Sequence, residues 1–412
     1  MEKKSSVGGA ASSPVWATLE AFARQQIQGF VQRLLEEEVT ELLGRGKSVR
    51  CGPGEAAGYR NGYGKPRGLA LASGTITVRR PRVRGLEARF ESRLLPLFKR
   101  RTEEVGALLP RLYLHGLALD DFELALRGLL GASAPLSASS VARLKAQWQV
   151  EYAVWRQRSL ADLEVAYWWA DGLYVKAGVD DGKAALLVII GATTDGQKVI
   201  LAVESGQRES AVSWGGVLRD LQARGLRAPC LTVADGHLGI WSALAQLYPT
   251  SAEQRCWNHK MVNVLDAVGR RHQPEVKGWL RRMMYAETRA ACEAVRRQFA
   301  AQYRLLYPKA VAALERDWER LVRFFAFPQA HWLHLRTTNI VESPFAAVRL
   351  RTTAAKRYKK VEHATALIWK VLGVAERTFR RLNAPELLPA VYAGVTYRDG
   401  VAVTPIPRGI AA

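Results

Sequence analysis

The sequence contains little cysteine and no long apolar segment. Its four cysteines are scattered over 412 residues and form no Cys-x-x-Cys pair, which argues against a disulfide framework. No run of about 18 apolar residues occurs, and residues 1–13 are mostly small and polar, unlike the apolar centre of a signal peptide. We therefore expect a cytoplasmic protein that does not associate with membranes.

Acidic residues are also scarce. The chain has 38 Asp and Glu against 60 Lys and Arg, which gives a net charge of +22. Residues 45–101 hold 15 basic and 3 acidic side chains, and residues 342–381 hold 10 basic and 3 acidic ones. Such concentrated charge predicts two surfaces that bind a polyanion, because each neutralised phosphate releases a counterion. A basic soluble protein without a particular partner is the alternative.

The N-terminal part combines a helical pattern with this basic stretch. Apolar residues at helical spacing predict a helix over residues 15–43, which Gly44 ends. The segment Tyr59–Tyr63 then places a tyrosine on each side of Arg60, a combination typical of nucleic-acid contacts. An irregular solvated loop explains that segment equally well. We assign residues 1–101 to a helical and basic DNA-binding region.

Residues 102–150 have the pattern of a helix-turn-helix unit. Helices are expected at residues 102–114, 118–130 and from 137 onward, with Thr102 as the first N-cap. The last helix carries Ser139, Ser140 and Arg143 near its start, where short polar and basic side chains can reach base edges in a major groove. A three-helix packing module without DNA contacts is the alternative.

From residue 160 the pattern changes to strands. Strands are expected at residues 165–178, 183–193, 197–203, 230–234 and 251–257, and helices at 210–223 and 237–247. A ribonuclease-H-like domain has this order: three antiparallel strands, then a helix, a strand, a helix and a strand. The predicted fold class is therefore α/β, and the helical N-terminal DNA-binding region precedes this domain in the sequence.

The rest of the chain divides by pattern as well. We place the first part of a catalytic core at residues 160–260, an all-helical insertion at 261–335, the last part of the core with a basic helix at 336–388, and a peripheral tail at 389–412. Within the insertion, residues 261–325 are predicted to be continuously helical, because no strand signal interrupts them.

Asp-Gly pairs begin at Asp171, Asp181, Asp195 and Asp235, and a turn is the simplest interpretation of each of these. Asp181 and Asp195 lie between predicted strands, so we assign them to turns. Asp171 lies inside an apolar strand, where a charged side chain is costly unless it is paired or binds a metal. Asp235 ends a strand at the position where open sheets present functional groups. In a ribonuclease-H-like sheet, Asp171 and Asp235 would converge within reach of one metal ion.

Glu342 is the third candidate carboxylate. It follows Asn339 by three residues, so it also fits a helix capping box. The segment leads into a predicted basic helix running toward residue 358, whose exposed side is expected to carry Arg349 and Arg351. Seven residues make nearly two turns, so Arg349 should share a face with Glu342, roughly 10 Å along the axis. A carboxylate and a cation so placed suit a metal site beside a phosphate backbone.

In their order and spacing, these motifs resemble the mutator-type transposases of prokaryotic insertion sequences, which belong to the Asp-Asp-Glu class. The matching segments are Tyr59–Tyr63, Asp171-Gly172, Val233-Ala234-Asp235-Gly236, Cys256-Trp257-Asn258-His259 and Arg336-Thr337-Thr338-Asn339-Ile340-Val341-Glu342-Ser343. Intervals of 64 and 107 residues separate Asp171, Asp235 and Glu342, and the second matches the helical insertion of such families.

The resemblance implies that Asp171, Asp235 and Glu342 are the catalytic residues and the metal ligands. Three carboxylates can hold two ions about 4 Å apart, and oxygen ligands favour Mg²⁺ or Mn²⁺ over zinc. Double-stranded DNA, both the terminal inverted repeats and the target, would be the partner. Since two ends must be joined, we expect a homodimer or a larger oligomer on DNA.

Cys256 and His259 form a Cys-x-x-His pair that could be half of a zinc site. No second pair lies at a suitable spacing, and one pair cannot complete a tetrahedral site. The resemblance implies a position close to the active site. We interpret Cys256 and His259 as structural residues or as contacts to DNA and the leaving group.

The sequence thus predicts a transposase that cleaves DNA and transfers the cut strands. A nuclease or resolvase with the same three carboxylates would cleave without joining. A regulator derived from a transposase would bind DNA without cleaving it. A basic RNA-associated protein is a further alternative, which would not need the three carboxylates.

Overall fold

The structure is a computed structural model that divides into two compact units, Met1–Leu144 and Lys145–Ala412. It describes residues 14–50, 52, 58–96, 101–117, 125, 127, 130, 138–177, 183–206, 208–236, 238–355 and 357–403. Among these residues, no helix combines the length and apolar character that a membrane span requires.

The first unit is built on one long helix and two pairs of strands. Its elements are α1 (Pro14–Leu43), β1 (Tyr59–Tyr63), β2 (Arg67–Leu71), β3 (Gly74–Val78), β4 (Pro81–Arg84) and α2 (Glu103–Leu114). β1 pairs with β4 and β2 with β3, both antiparallel. Leu35 of α1 packs with Ile76, Val78 and Leu95 in a small apolar core. The predicted helix over residues 15–43 is confirmed.

The predicted helix-turn-helix is described only in part. Thr102 precedes α2 with an extended backbone, as expected of an N-cap, although its side chain makes no capping hydrogen bond. α3 (Ala138–Arg156) is present, and Arg143 is exposed on it. The second helix, at residues 118–130, lies mostly outside the described residues, as do the side chains of Ser139 and Ser140. The DNA-binding role of this segment stays a prediction.

The second unit contains a five-stranded mixed sheet. Its strands are β5 (Val165–Lys176), β6 (Lys183–Thr193), β7 (Lys198–Gly206), β8 (Leu231–Ala234) and β9 (Ala252–Arg255), in the order β7-β6-β5-β8-β9. β6 is antiparallel to β5 and β7, whereas β5, β8 and β9 are parallel. The predicted order of strands and helices is confirmed. β5, β7, β8 and β9 therefore share one direction, and their carboxyl ends lie at one edge of the sheet.

The central strand β5 is buried on both faces, which explains its nearly continuous apolar sequence. Successive side chains point to opposite faces of a strand. Trp168 packs in a core with residues of α4 (Ala211–Ala223) and α5 (Leu238–Leu247). On the other face, the Tyr167 hydroxyl lies 2.8 Å from His331 Nδ1, and Trp169 donates to the carbonyl of His334 at 2.9 Å. The sheet is thus the middle layer between two sets of helices.

The helical insertion follows β9. Its helices are α6 (Trp257–Leu265), α7 (Gln273–Met284), α8 (Arg289–Tyr303), α9 (Pro308–Glu315) and α10 (Trp318–Leu321), followed by a 3-10 turn at Arg323–Ala326. The helical character is confirmed, but the prediction of one continuous helix over residues 261–325 is wrong. Pro274 and Pro308 start new helices because proline lacks the N–H that a helix interior requires, and Thr288 caps α8 by accepting from Ala291 N at 3.1 Å.

The C-terminal part returns to the sheet. Its elements are 3-10 turns at Gln329–His331 and Pro385–Leu387, helices α11 (Trp332–Leu335), α12 (Asn339–Glu342), α13 (Phe345–Ala355), α14 (Val361–Glu376) and α15 (Leu388–Tyr392), and the short strands β10 (Tyr397–Arg398) and β11 (Val401–Ala402). The prediction of one long basic helix starting at Asn339 is wrong. Ser343 and Pro344 form a break, because Pro344 cannot donate to the carbonyl of Ile340.

The described part of the predicted tail, residues 389–403, is not peripheral, in contrast to the prediction. Ala390, Val391 and Tyr397 are buried, and α15 packs against β5. Cys230 Sγ, which precedes β8, lies 3.4 Å from the carbonyl of Val391. The Gly- and Val-rich composition predicts a peripheral tail, yet the apolar side chains of residues 388–397 belong to the core.

We expect Leu388→Ala to lower the free energy of unfolding of the second unit by about 2–5 kcal/mol, the usual cost of a cavity at a buried leucine. Leu388 is 0% exposed, whereas Leu305 is 97% exposed, so Leu305→Ala is the matched control and should change stability very little. Urea denaturation followed by tryptophan fluorescence measures both. Equal effects of the two substitutions would show that the segment after residue 388 is peripheral after all.

Candidate metal centre

Asp171 and Asp235 meet because β5 and β8 are parallel neighbours in register. The ladder between these strands ends with Ala170 opposite Ala234. Asp171 is the next residue of β5 and Asp235 is the first residue after β8, so their backbones should lie close to the strand spacing of about 4.8 Å. The convergence predicted from the sequence is therefore present in the fold.

A third carboxylate, which the sequence interpretation missed, belongs to this group. Glu209 lies in the turn between β7 and α4, and carboxylate oxygens of Asp171, Glu209 and Asp235 all lie within 4.8 Å of one another. Glu209 and Asp171 are each only 8% exposed. A signal existed: the turn after β7 leaves the sheet at the same edge as the ends of β5 and β8, since the three strands run in one direction.

Two glycines allow Glu209 to come this close. A Cβ on Gly172 would lie 2.6 Å from the carboxyl carbon of Glu209, and a Cβ on Gly239 would lie 2.7 Å from the backbone nitrogen of Ala211. Side chains at either position would force the turn away from β5. Gly172 thus lies in the middle of a strand, and glycine at such a position is typical of a strand that another group approaches closely.

Arg255, the last residue of β9, holds the segment that follows Asp235. Its Nη1 donates to the carbonyl of Gly236 at 3.0 Å and to Asp317 Oδ2 at 3.2 Å. Burial lowers the pKa of Arg255, and the negative charge of Asp317 acts in the opposite direction. Arg255 therefore ties the Asp235-Gly236 segment to the helical insertion.

Glu342 belongs to a second cluster, with Cys256 and His259. Cys256 follows β9, His259 lies one turn later in α6, and ligand atoms of the three residues lie within 4.8 Å of one another. His259 Nδ1 is 3.9 Å from Glu342 Oε1. The Cys-x-x-His pair thus lies beside the predicted third carboxylate, as the resemblance implied.

Thr338 connects the members of this second cluster. It is buried, its hydroxyl donates to Glu342 Oε1 and lies 3.2 Å from Cys256 Sγ, and its backbone N–H donates to Cys256 Sγ at 3.4 Å. The capping box proposed for Asn339 and Glu342 is not formed. Thr338 is the N-cap of α12, and Asn339 Oδ1 accepts instead from Asn258 Nδ2 at 3.0 Å. Glu342 is therefore oriented by the hydroxyl of Thr338 and not by a capping box with Asn339.

The electrostatics of the two clusters are coupled. Burial raises the pKa of Asp171 from 3.8 to about 7; the charge of His259 opposes this shift, and Glu342 and Asp235 add to it. Contact with Cys256 raises the pKa of His259 to about 9, with further contributions from Asp171 and Glu342. Carboxylates that are buried and close together disfavour their own ionised forms, so this edge of the sheet has the electrostatics of a cation site.

The donor atoms fit different ions in the two clusters. Asp171, Glu209 and Asp235 offer only carboxylate oxygens, which Mg²⁺ and Mn²⁺ prefer. Cys256, His259 and Glu342 combine sulfur, nitrogen and oxygen. The all-oxygen cluster at the sheet edge is therefore the better match to a hard divalent cation.

The predicted DNA contacts on α13 are only partly exposed. Arg349 is exposed, as expected, but Arg351 is 2% exposed, so its prediction as part of the exposed side of this helix is wrong. Because α13 starts afresh after Pro344, its buried face is set by Phe345 and Val348, and Arg351 lies one turn beyond Val348 on that face. The expected common face of Glu342 and Arg349 is likewise interrupted.

Apart from Cys256 and His259, the remaining predicted DNA contacts lie in the first unit. Arg60 donates to Thr40 Oγ1 at 2.7 Å and pairs with Glu36 at 3.3 Å, so it anchors β1 to α1. Tyr59 and Tyr63 are exposed beside it. The structure thus gives Arg60 a structural contact that the sequence interpretation did not foresee.

The raised pKa of Asp171 predicts how stability depends on pH. Folding strengthens proton binding to this carboxyl, so its contribution to stability is present below pH 4 and is lost as the pH rises to about 7. We expect Asp171→Asn to melt a few degrees above the wild type at pH 8 without divalent cations. In a domain of this size, a change of about 1 kcal/mol in the free energy of unfolding shifts the melting temperature by roughly 2–4 °C. Scanning calorimetry should show this difference shrinking toward pH 4. A wild type that is the more stable protein at pH 8 would contradict the assigned pKa.

Comparison with known proteins identifies the family of the chain. Residues 5–381 match the family described as Transposase, Mutator family. The transposase for insertion sequence element IS6120 of Mycolicibacterium smegmatis is 41% identical over 296 residues, which cover 72% of this chain and 92% of that protein. The transposase for IST2 of Acidithiobacillus ferrooxidans is 42% identical over 279 residues, with coverage of 67% and 94%. The transposase for ISRM5 of Rhizobium meliloti is 30% identical over 349 residues, with coverage of 84% and 85%. The resemblance inferred from the motifs is confirmed, and the chain belongs to the Mutator family of transposases.

Proposed function

We propose that this chain is a DNA transposase that cleaves DNA at the ends of an insertion sequence and transfers the cut strands to target DNA. The observation that carries the proposal is the pairing of Asp171 with Asp235 at the sheet edge, electrostatically coupled to Glu342. The relatives named above are transposases for insertion sequence elements, which supports terminal repeats of such an element as the substrate.

The sheet supports a ribonuclease-H-like catalytic domain. Only β6 runs against the other strands, and β5 lies at the centre with β8 beside it. We assign residues 160–260 to the first part of this domain, 261–335 to the helical insertion and 336–388 to the last part. The insertion then connects the strand edge that holds Asp235 to the helix that holds Glu342.

Asp171, Asp235 and Glu342 would hold two Mg²⁺ or Mn²⁺ ions. When bound, such ions supply an activated water for attack on the phosphate and stabilise the leaving 3′-oxygen. Asp171 contributes a buried carboxylate, which already accepts from the backbone N–H of Gly172 at 2.9 Å and whose charge a bound cation would stabilise further. Contact with Cys256 raises the pKa of His259, which favours a protonated ring that can donate a hydrogen bond to a phosphate oxygen. Thr338 keeps Glu342 oriented toward His259.

The exposed basic side chains would bind the DNA backbone. Arg349 follows Glu342 by seven residues, and Lys359 and Lys360 are exposed at the start of α14. Basic side chains near a carboxylate site hold phosphates that the carboxylates alone would repel. The first unit, with its basic stretch and predicted helix-turn-helix, would recognise the terminal repeats, and joining two ends requires at least a homodimer on DNA.

The deciding experiment is incubation of the purified full chain with labelled terminal repeats, a target plasmid and Mg²⁺. We expect strand cleavage followed by joined products. Cleavage without joining would favour a nuclease, and binding without cleavage would favour a regulator derived from a transposase.

Removing one carboxylate should abolish this chemistry without unfolding the protein. We expect Asp235→Asn and Glu342→Gln each to reduce cleavage by roughly 100-fold or more, beyond the usual cost of altering the surroundings of a metal ligand. Asp162→Asn and Glu362→Gln are matched controls at exposed positions. Electrophoretic shifts should show that all four variants still bind the DNA. Near wild-type cleavage by Glu342→Gln would remove Glu342 from the proposed ligands.

Arg349→Ala should weaken DNA binding and leave part of the cleavage activity. If Arg349 contacts one phosphate, the slope of log affinity against log salt should fall by about 1, and the defect should shrink at high salt. Arg349→Lys keeps the charge and should retain most of the affinity. Fluorescence anisotropy over a salt series measures all three proteins. An unchanged slope for Arg349→Ala would place this side chain outside the DNA interface.

A further inference from the structure

The turn between β7 and α4 brings a carboxylate to the sheet edge that the Asp-Asp-Glu pattern does not contain. We propose that Glu209 is a third ligand of the ion held by Asp171 and Asp235, and that this ion binds without Glu342. The inference rests on the proposed metal-dependent function and deepens it. It assigns the first ion to a preassembled site made of three neighbouring segments of the sheet edge.

The position of Glu209 is built into the fold. β6 separates β7 from β5, and Asp171 pairs with Val188 in the middle of β6, so the segment that leaves β7 must cross a face of β6 to reach Asp171. The start of α5 packs closely against this segment, because Gly239 has no Cβ; one would lie 2.8 Å from the carbonyl oxygen of Glu209. Ser210 then caps α4 by accepting from Ser213 N at 3.2 Å, which fixes the residue next to Glu209.

The carboxyl group of Glu209 fits a space that β5 leaves open. The missing Cβ of Gly172 would overlap both its Cδ and its Oε1, each at 2.6 Å. Glycine in the interior of a strand weakens it, so its presence at this position needs a compensating role. The Asp171-Gly172 pair provides one ligand and the room for another.

Charge and burial call for a cation at this point. Glu209 and Asp171 are both more than nine-tenths buried, and their oxygens lie within 4.8 Å of each other and of Asp235. Tyr174 is a hydrogen-bonding neighbour of Glu209, and burial together with the charge of Glu209 raises the pKa of its phenol. Buried carboxylates at such distances are stable together only with a positive ion or with a shared proton.

Glu342 is engaged elsewhere. Its carboxylate accepts from Thr338 and lies beside His259 and Cys256, outside the group formed by Asp171, Glu209 and Asp235. A first ion at the sheet edge therefore needs no movement of α12, and the predicted ligand set of Asp171, Asp235 and Glu342 describes only the complete two-ion site.

The test is Mn²⁺ binding to the full chain without DNA, measured by electron paramagnetic resonance of the free ion. We expect one site in the wild type, and Glu209→Gln should weaken it by about tenfold or more, as Asp235→Asn does. Glu342→Gln should bind this ion with wild-type affinity. Glu319→Gln, at an exposed position, is the matched control.

Gly172→Ala provides a second, independent variant, because it alters no ligand atom. Its Cβ should displace the Glu209 carboxylate and weaken Mn²⁺ binding to a similar extent. In the double variant, Gly172→Ala should add little to Glu209→Gln, since both act on one group. Melting temperatures within a few degrees of the wild type establish that each variant is folded.

Wild-type Mn²⁺ affinity in folded Glu209→Gln overturns the inference, as does a wild type that binds no Mn²⁺ without DNA. Loss of the site in Glu342→Gln also contradicts it. None of these results decides the proposed function, which depends on the cleavage assay with Asp235→Asn. A variant that cleaves without Asp235 would reject that function, whatever Glu209 does.

Discussion

The parallel pairing of β5 with β8 is the constraint on which the candidate site depends. The ladder ends with Ala170 opposite Ala234, so it brings Asp171 of β5 next to Asp235, the first residue after β8. The direction of the remaining strands then decides what else can join them. The turns after β7, β8 and β9 leave the sheet at one edge, and they bring Glu209, Asp235 and Cys256 to it. The helical insertion packs behind this edge through Arg255 and returns the chain to it at Glu342.

The features predicted correctly from the sequence are those that local pattern controls. Apolar periodicity predicts the strands of the sheet, the helix over residues 15–43 and the position of Asp171 inside an apolar strand, because burial acts on each segment separately. Asp195 is confirmed as a turn residue for the same reason: its carboxylate accepts from Gln197 N at 3.2 Å, beside Gly196. Asp181 lies outside the described residues.

The features that were missed depend on contacts between distant segments. Glu209 is an ordinary polar residue in a turn until the strand order brings that turn across β6 to Gly172. Arg351 is buried because Pro344 restarts the helix and rotates its buried face, which a count of residues along one continuous helix could not reveal. The segment after residue 388 was assigned to the periphery from its composition, yet Ala390 and Val391 belong to the core. In each case tertiary packing overrode a local interpretation.

The net positive charge of the chain and the carboxylates at the sheet edge have opposite effects on a DNA phosphate. The chain carries +22 overall, which attracts DNA from a distance, whereas the sheet edge presents carboxylates that repel a phosphate at short range. Screening weakens the long-range attraction beyond about 8 Å at physiological ionic strength, so it cannot by itself hold a phosphate against buried carboxylates. A divalent cation bound between Asp171 and Asp235 would neutralise the charge of these two carboxylates. Under the proposed function, the ion that would drive the chemistry would therefore also be required for the scissile phosphate to occupy the site, and exposed cations such as Arg349 would hold only the neighbouring backbone.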